Sequence, residues 1–136
     1  MDIYFAGSIR GGRKDKRLYL EIIEYLKNYG NVLTEHIGAD SIDSMGEEVD
    51  DQYIHDRDMD WLMNSDIMVA EVTNPSLGVG YEVGRALEND KKIICLFRNN
   101  DYQKLSAMIG GSKKLICIKY FEINDLKNKI NQYFNN

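Results

Sequence analysis

The chain has 136 residues and a mass of 15.7 kDa, with 43% of positions hydrophobic, which leaves room for one domain over residues 1–136 around one core. Seventeen Lys+Arg against twenty-two Asp+Glu give a net charge of −5 and a pI near 5.0, so no surface built to follow a nucleic-acid polymer is expected. The longest apolar runs, Ile93 to Phe97 and Leu115 to Ile118, fall far short of the roughly 20 residues that span a bilayer. The opening Met1-Asp2-Ile3-Tyr4-Phe5-Ala6 lacks a basic segment followed by a long apolar block, so a cytoplasmic protein without membrane contact is expected. Cys95 and Cys117 sit within Ile-Ile-Cys-Leu-Phe and Leu-Ile-Cys-Ile, where a reduced thiol packs as a small hydrophobe.

In chain order, Ile3 to Ala6 reads as a strand stopped by Gly7, and Leu18 to Tyr29 as a helix with Leu18, Ile22, Ile23 and Leu26 at helical spacing. Gly30-Asn31 predicts a left-handed cap on that helix, and Val32-Leu33 opens a second strand. Ala39 to Asp51, with Gly, Ser and six acids, reads as a solvated surface loop. Gln52 to Asn64 reads as a helix through Ile54, Trp61 and Leu62, and Ile67 to Ala70 as a buried strand. Helix, strand, short helix, strand and helix follow at Leu77 to Glu88, Lys92 to Phe97, Tyr102 to Ile109, Leu115 to Ile118 and Ile123 to Phe134. The strands are short and continuously apolar, and the one Pro lies outside them, as parallel strands covered on both faces require. The expected fold is therefore α/β: a five-stranded parallel doubly wound sheet, Rossmann- or flavodoxin-like, whose ligand site lies beyond the C-terminal strand ends.

Three features fall at that end. Gly7-Ser8-Ile9-Arg10-Gly11-Gly12-Arg13 offers open backbone N–H groups, a hydroxyl and two guanidinium groups ahead of a helix, which suits one compact anion such as phosphate. Its spacing is neither the dinucleotide nor the triphosphate fingerprint, and the alternative is an ordinary flexible turn whose arginines face water. Asn74-Pro75-Ser76-Leu77-Gly78-Val79-Gly80-Tyr81-Glu82 again crowds glycines and a hydroxyl at a helix start. Glu82, three residues after Val79 and four before Ala86, shares the inward face, where the helix dipole is expected to keep it an anion able to act as a nucleophile. A structural Glu paired with an Arg is the alternative.

Asp58, four after Ile54 and four before Leu62, lies in the apolar stripe of its helix, away from Asp56 and Asp60. Desolvation there raises a carboxyl's pKa and suits a general acid, and pairing with Arg57 or a lysine is the alternative. Two carboxylates and a phosphate cradle fit glycosidic cleavage of a phosphorylated sugar. A Ser or Cys triad is unsupported by His36 and His55, the only histidines. Glu35-His36 and the acidic loop show no metal-ligand spacing, so no metal and no cofactor is expected, though His36 at the end of strand two can touch substrate.

Tyr4 to Arg13, Val32-Leu33-Thr34-Glu35-His36, Val69 to Glu82 and Leu105-Ser106-Ala107-Met108-Ile109 together closely resemble the 2′-deoxynucleoside 5′-phosphate N-hydrolase family, relatives of the nucleoside 2-deoxyribosyltransferases. The resemblance implies hydrolysis of the N-glycosidic bond of a 2′-deoxynucleoside 5′-monophosphate without cofactor, giving 2-deoxyribose 5-phosphate and free base. It implies Glu82 as the nucleophile forming a deoxyribosyl ester, Asp58 as the proton-transfer group and Tyr4 as the holder of sugar and carboxylates. Ser8, Arg10, Gly11, Gly12, Arg13 and Ser76 then clamp the phosphate, and Ser106, with Ala107 and Met108, reaches it from the other subunit of a homodimer. A deoxyribosyltransferase, a ribonucleotide hydrolase of the CMP type and a nucleotide sensor without turnover are the rival readings. Base preference stays open, because Gly38 to Asp51 shows no equally specific match.

Overall fold

The computed structural model describes residues 1–9, 13–36 and 50–135, with residues 13 and 14 as backbone only. Most of the predicted acidic loop and Arg10, Gly11 and Gly12 thus lie outside the described residues. Strands β1 (Asp2–Gly7), β2 (Asn31–Leu33), β3 (Ile67–Glu71), β4 (Lys92–Arg98) and β5 (Ile116–Tyr120) form one sheet in the order β2-β1-β3-β4-β5, every pairing parallel. Helices α1 (Arg13–Leu26), α2 (Asp51–Asn64), α3 (Leu77–Glu88), α4 (Ala107–Gly110) and α5 (Ile123–Phe134) connect and cover them. The expected doubly wound sheet is present, and its strand order reverses between β1 and β3, the crevice in which such sheets bind ligands.

Continuous apolar strands are explained by two cores. On one face Ile3, Phe5, Val69, Ile94 and Leu96 meet Tyr19, Ile22 and Leu26 of α1 and Leu126 and Ile130 of α5. On the other, Tyr4, Ala6, Met68, Ala70, Ile93 and Cys95 meet Met59 and Leu62 of α2 and Val79, Val83 and Ala86 of α3. Both cysteines are free.

Three local expectations need correction. Helix α1 runs from Arg13 to Leu26 instead of Leu18 to Tyr29: its first turns are charged and invisible to apolar spacing, while Asn28 and Tyr29 donate N–H bonds of 3.1 and 2.9 Å back to Tyr25 and Leu26 in tightening turns. Gly30 is not a left-handed cap, since no described glycine has positive φ. It is required by a close approach instead, because a Cβ there would stand 2.4 Å from the carbonyl oxygen of Met1. The predicted helix from Tyr102 to Ile109 shrinks to Ala107–Gly110. Asn100 Oδ1 takes the N–H of both Tyr102 and Gln103 at 2.9 Å, an Asx turn that competes with helix, and only after Ser106 does the chain coil.

Candidate active site

The C-terminal ends of β1 and β3 frame a cavity of about 410 Å³ lined by Gly7, Ser8 and Ile9 after β1, Glu35 after β2, Pro75 to Val79 at the start of α3, and Glu82. Ser76 caps α3, its Oγ accepting from Val79 N at 3.3 Å. A Cβ on Gly78 would meet nothing nearer than Ser76 Oγ at 3.9 Å, so the protein's own packing does not demand glycine there. Gly7 is different: a Cβ would press the Tyr19 ring at 3.0 Å, and this fixes how closely the loop lies on α1.

Glu82 lines this cavity, and Tyr4 of β1 meets it there. The Tyr4 hydroxyl donates to Glu82 Oε2 across the interface of β1 and α3. Both are buried, with Asp58 beside them, and each carboxylate's field reaches the others. Burial pushes the Glu82 carboxyl up to about 8, with the charges of Asp58 and Glu35 adding to the rise and the Tyr4 hydrogen bond opposing it. This corrects the expectation of a dipole-held anion: Glu82 is the sixth residue of α3, past the first turn where the dipole acts, and desolvation wins. Burial likewise raises Asp58, against the pull of Arg57, whose Nε donates to Asp58 Oδ1 at 3.1 Å. Asp58 is thus both desolvated and paired, joining the two readings that the helix pattern left open.

Asp58 does not itself line the cavity; Glu35 does. Sequence reasoning set Glu35 aside because it sought metal spacing. Its carboxyl rises to about 7, through burial and then the Asp58 charge, although Arg57 Nη2 lies 3.4 Å away and lowers it. The available signal was an acid directly after a short strand at the ligand end of the sheet.

His36 is placed behind the loop. It is 3% exposed, its Nε2 donates to the Gly7 carbonyl at 2.9 Å, and its ring meets Phe5 and Tyr19 edge-on. Burial lowers its pKa, so a neutral ring anchors the β1 turn, and His36 is not among the residues lining the cavity. Arg10, Gly11, Gly12 and the Arg13 side chain lie outside the described residues. Ser106, Ala107 and Met108 do not line the cavity of the same chain: Ser106 Oγ accepts from Met108 N at 3.3 Å, and Met108 is 84% exposed. A polar chain that sequence reasoning missed binds the loops together: Asn74 Nδ2 donates to Asp15 at 2.6 Å, Arg98 to Asp15 at 3.2 Å, and Gln103 Nε2 to Asn74 at 2.7 Å.

Residues 3–131 match the family model described as nucleoside 2-deoxyribosyltransferase. The 5-hydroxymethyl-dUMP N-hydrolase of Danio rerio is 52% identical over 137 residues, covering 98% of this chain and 96% of that one. A Nematostella vectensis protein provisionally named 2′-deoxynucleoside 5′-phosphate N-hydrolase 1 is 51% identical over 136 residues, covering 97% and 92%. Among solved structures, the CMP N-glycosidase BcmB of Clostridium botulinum superposes with a TM-score of 0.73 at 20% identity, covering 98% of this chain and all of that one, a likeness of fold. With the family match running through both strand ends and the acids between them, the chain belongs to the nucleoside 2-deoxyribosyltransferase family.

Proposed function

We propose that this protein, acting as one domain over residues 1–136, hydrolyses the N-glycosidic bond of 2′-deoxynucleoside 5′-monophosphates. The observation that carries the reading is Glu82, held by the buried Tyr4 hydroxyl and lining a cavity bordered by two glycine- and serine-bearing turns. The names of relatives about half identical to this chain point to the same class, including 5-hydroxymethyl-dUMP.

In this reading Ser8, Ile9, Ser76 and Gly78, with Gly7, Arg10, Gly11, Gly12 and Arg13, hold the 5′-phosphate and set C1′ over Glu82. A Glu82 carboxylate oxygen bonds to C1′ as the C1′–N bond breaks, its electron pair leaving on the base, which takes a proton from the acid cluster that contains Asp58. Water then attacks C1′, the ester C1′–O bond breaks, and Glu82 is restored with the water's proton passed to the carboxylates. Tyr4 orients Glu82 and loosens its hold as the ester forms. No metal or cofactor enters the scheme.

The protein is also proposed to be a cytoplasmic homodimer in which the Ser106 turn serves the partner's cavity. Supporting this are Tyr102 and Met108, 95% and 84% exposed beside Ser106, and Leu77, 96% exposed at the cavity rim. A reducing compartment suits two unpaired cysteines, with burial pushing Cys95 up to about 12.

A panel of purine and pyrimidine monophosphates, ribo and deoxy, together with unphosphorylated nucleosides, tests the reading by released base. Release from the deoxy monophosphates alone is expected. Transfer to an added second base without hydrolysis, preference for ribonucleotides, or tight binding with no release would each replace it with the corresponding rival.

A further inference from the structure

Arg57 lies on α2 one residue before Asp58, and its guanidinium is fixed on both sides. It sits 4.8 Å over the Trp61 ring and 5.8 Å from that of Tyr53, so two aromatic faces hold it against the fold. From there it reaches two acids from different elements: Nε to Asp58 Oδ1 at 3.1 Å, and Nη2 to Glu35 Oε2 at 3.4 Å. The side chains of Arg57, Glu35 and Asp58 are 14%, 21% and 8% exposed, so the triad is shielded from bulk water. Two acids that close share protons as a unit, and a fixed cation between them decides how many they keep.

We propose that Arg57 is a positioning residue that ties Glu35 and Asp58 into one proton-holding pair, with Glu35 presenting the proton at the cavity and Asp58 standing behind it. The proposal rests on the N-glycosidase reading, in which the departing base must be protonated. Only Glu35 of the two lines the cavity, so a proton held by Asp58 reaches a ligand through Glu35. Among the described residues, the other groups that face the pair are Tyr4 from β1, Glu82 from α3 and His36 after β2, with Lys16 of α1 acting on His36. Arg57 is the cation that contacts both acids among the described residues. It holds the pair's proton release lower than burial alone would set it.

The test compares wild type, Arg57→Gln and Arg57→Lys in the pH profile of kcat/KM for a deoxynucleoside monophosphate, and in carbon-13 NMR titration of the Glu35 and Asp58 carboxyls. Loss of the cation in Arg57→Gln should move the basic limb and both carboxyl titrations to higher pH, by about one unit. Arg57→Lys keeps the charge and should return most of that shift. Glu35→Gln should abolish the basic limb's dependence on the pair. An Arg57→Gln enzyme that is folded and active with its basic limb and both titrations unmoved overturns the proposal, as does a Glu35→Gln enzyme with a wild-type profile. If wild type releases no base from any nucleotide, the glycosidase reading fails, and the NMR titrations alone still decide whether Arg57 governs the pair.

Discussion

Among the described residues, two buried tyrosine–glutamate pairs stand at the same end of the sheet, and they are built to opposite ends. Glu71, closing β3, is 1% exposed and saturated: Oε1 accepts from Thr73 N at 2.8 Å, while Oε2 takes the Thr73 hydroxyl at 3.0 Å and the Tyr120 hydroxyl. Thr73 Oγ1 in turn accepts from Arg98 N at 2.8 Å. Glu82 is 7% exposed and receives the Tyr4 hydroxyl, while its side chain opens on the cavity. Burial raises both carboxyls, yet one has its donors supplied by the fold and the other faces space for a ligand. A buried acid thus reads as structural or reactive according to how many of its acceptor sites the fold has already filled.

Substitutions can break this comparison. Glu82→Gln should lower kcat by about a thousandfold or more while leaving the fold intact, because the nucleophile is gone while the amide oxygen can still accept from the Tyr4 hydroxyl. Stability should respond in the opposite sense. A carboxyl raised from 4.5 to about 8 in the folded state weakens the fold as pH climbs through that window, so Glu82→Gln should raise Tm above pH 8 and leave it unchanged below about 4.5. Thermal melts across pH check the sign. Glu71→Ala should do the reverse, costing about 3 kcal/mol by leaving the Thr73 N–H and the Tyr120 hydroxyl without an acceptor, with kcat per folded molecule preserved. Equilibrium urea unfolding beside active-site titration separates the two.

Smaller effects sharpen the contrast. Tyr4→Phe should reduce kcat about 10- to 100-fold and raise the Glu82 pKa further, since the hydrogen bond that favours its ionised form is lost. Gly78→Ala should stabilise by up to about 1 kcal/mol, as alanine suits a helix and nothing in the protein obstructs it, while raising KM if the phosphate needs that open backbone. The kcat/KM profile of wild type should be a bell near pH 7 to 8, its acidic limb set by the need for ionised Glu82 and its basic limb by proton loss from the Glu35–Asp58 pair, since burial raises all three carboxyls.

The parallel sheet was readable because strands buried on both faces must be apolar throughout, as Met68 to Ala70 and Ile93 to Phe97 are. The placement of Glu82 and Asp58 indoors followed from helical spacing alone. Quantities set by three-dimensional surroundings did not follow. Dipole reasoning kept Glu82 ionised, whereas its actual neighbours are other acids and apolar walls. Glu35 carried no periodic signal, since its burial depends on α2 bringing Arg57 to it across 22 positions of sequence. Gly30 looked like a helix cap because the pattern cannot show that Met1 passes over it.

β1 is the strand that joins β2 to the rest of the sheet. β1 lies between β2 and β3, with Ile3 paired to both Val32 and Ile67. Because β1 precedes both of its partners in the chain, its β3 edge stays unpaired during synthesis until β3 has been made. Truncation within the first seven residues would remove Tyr4 and, at the same time, leave β2 with nothing to join it to the remaining strands.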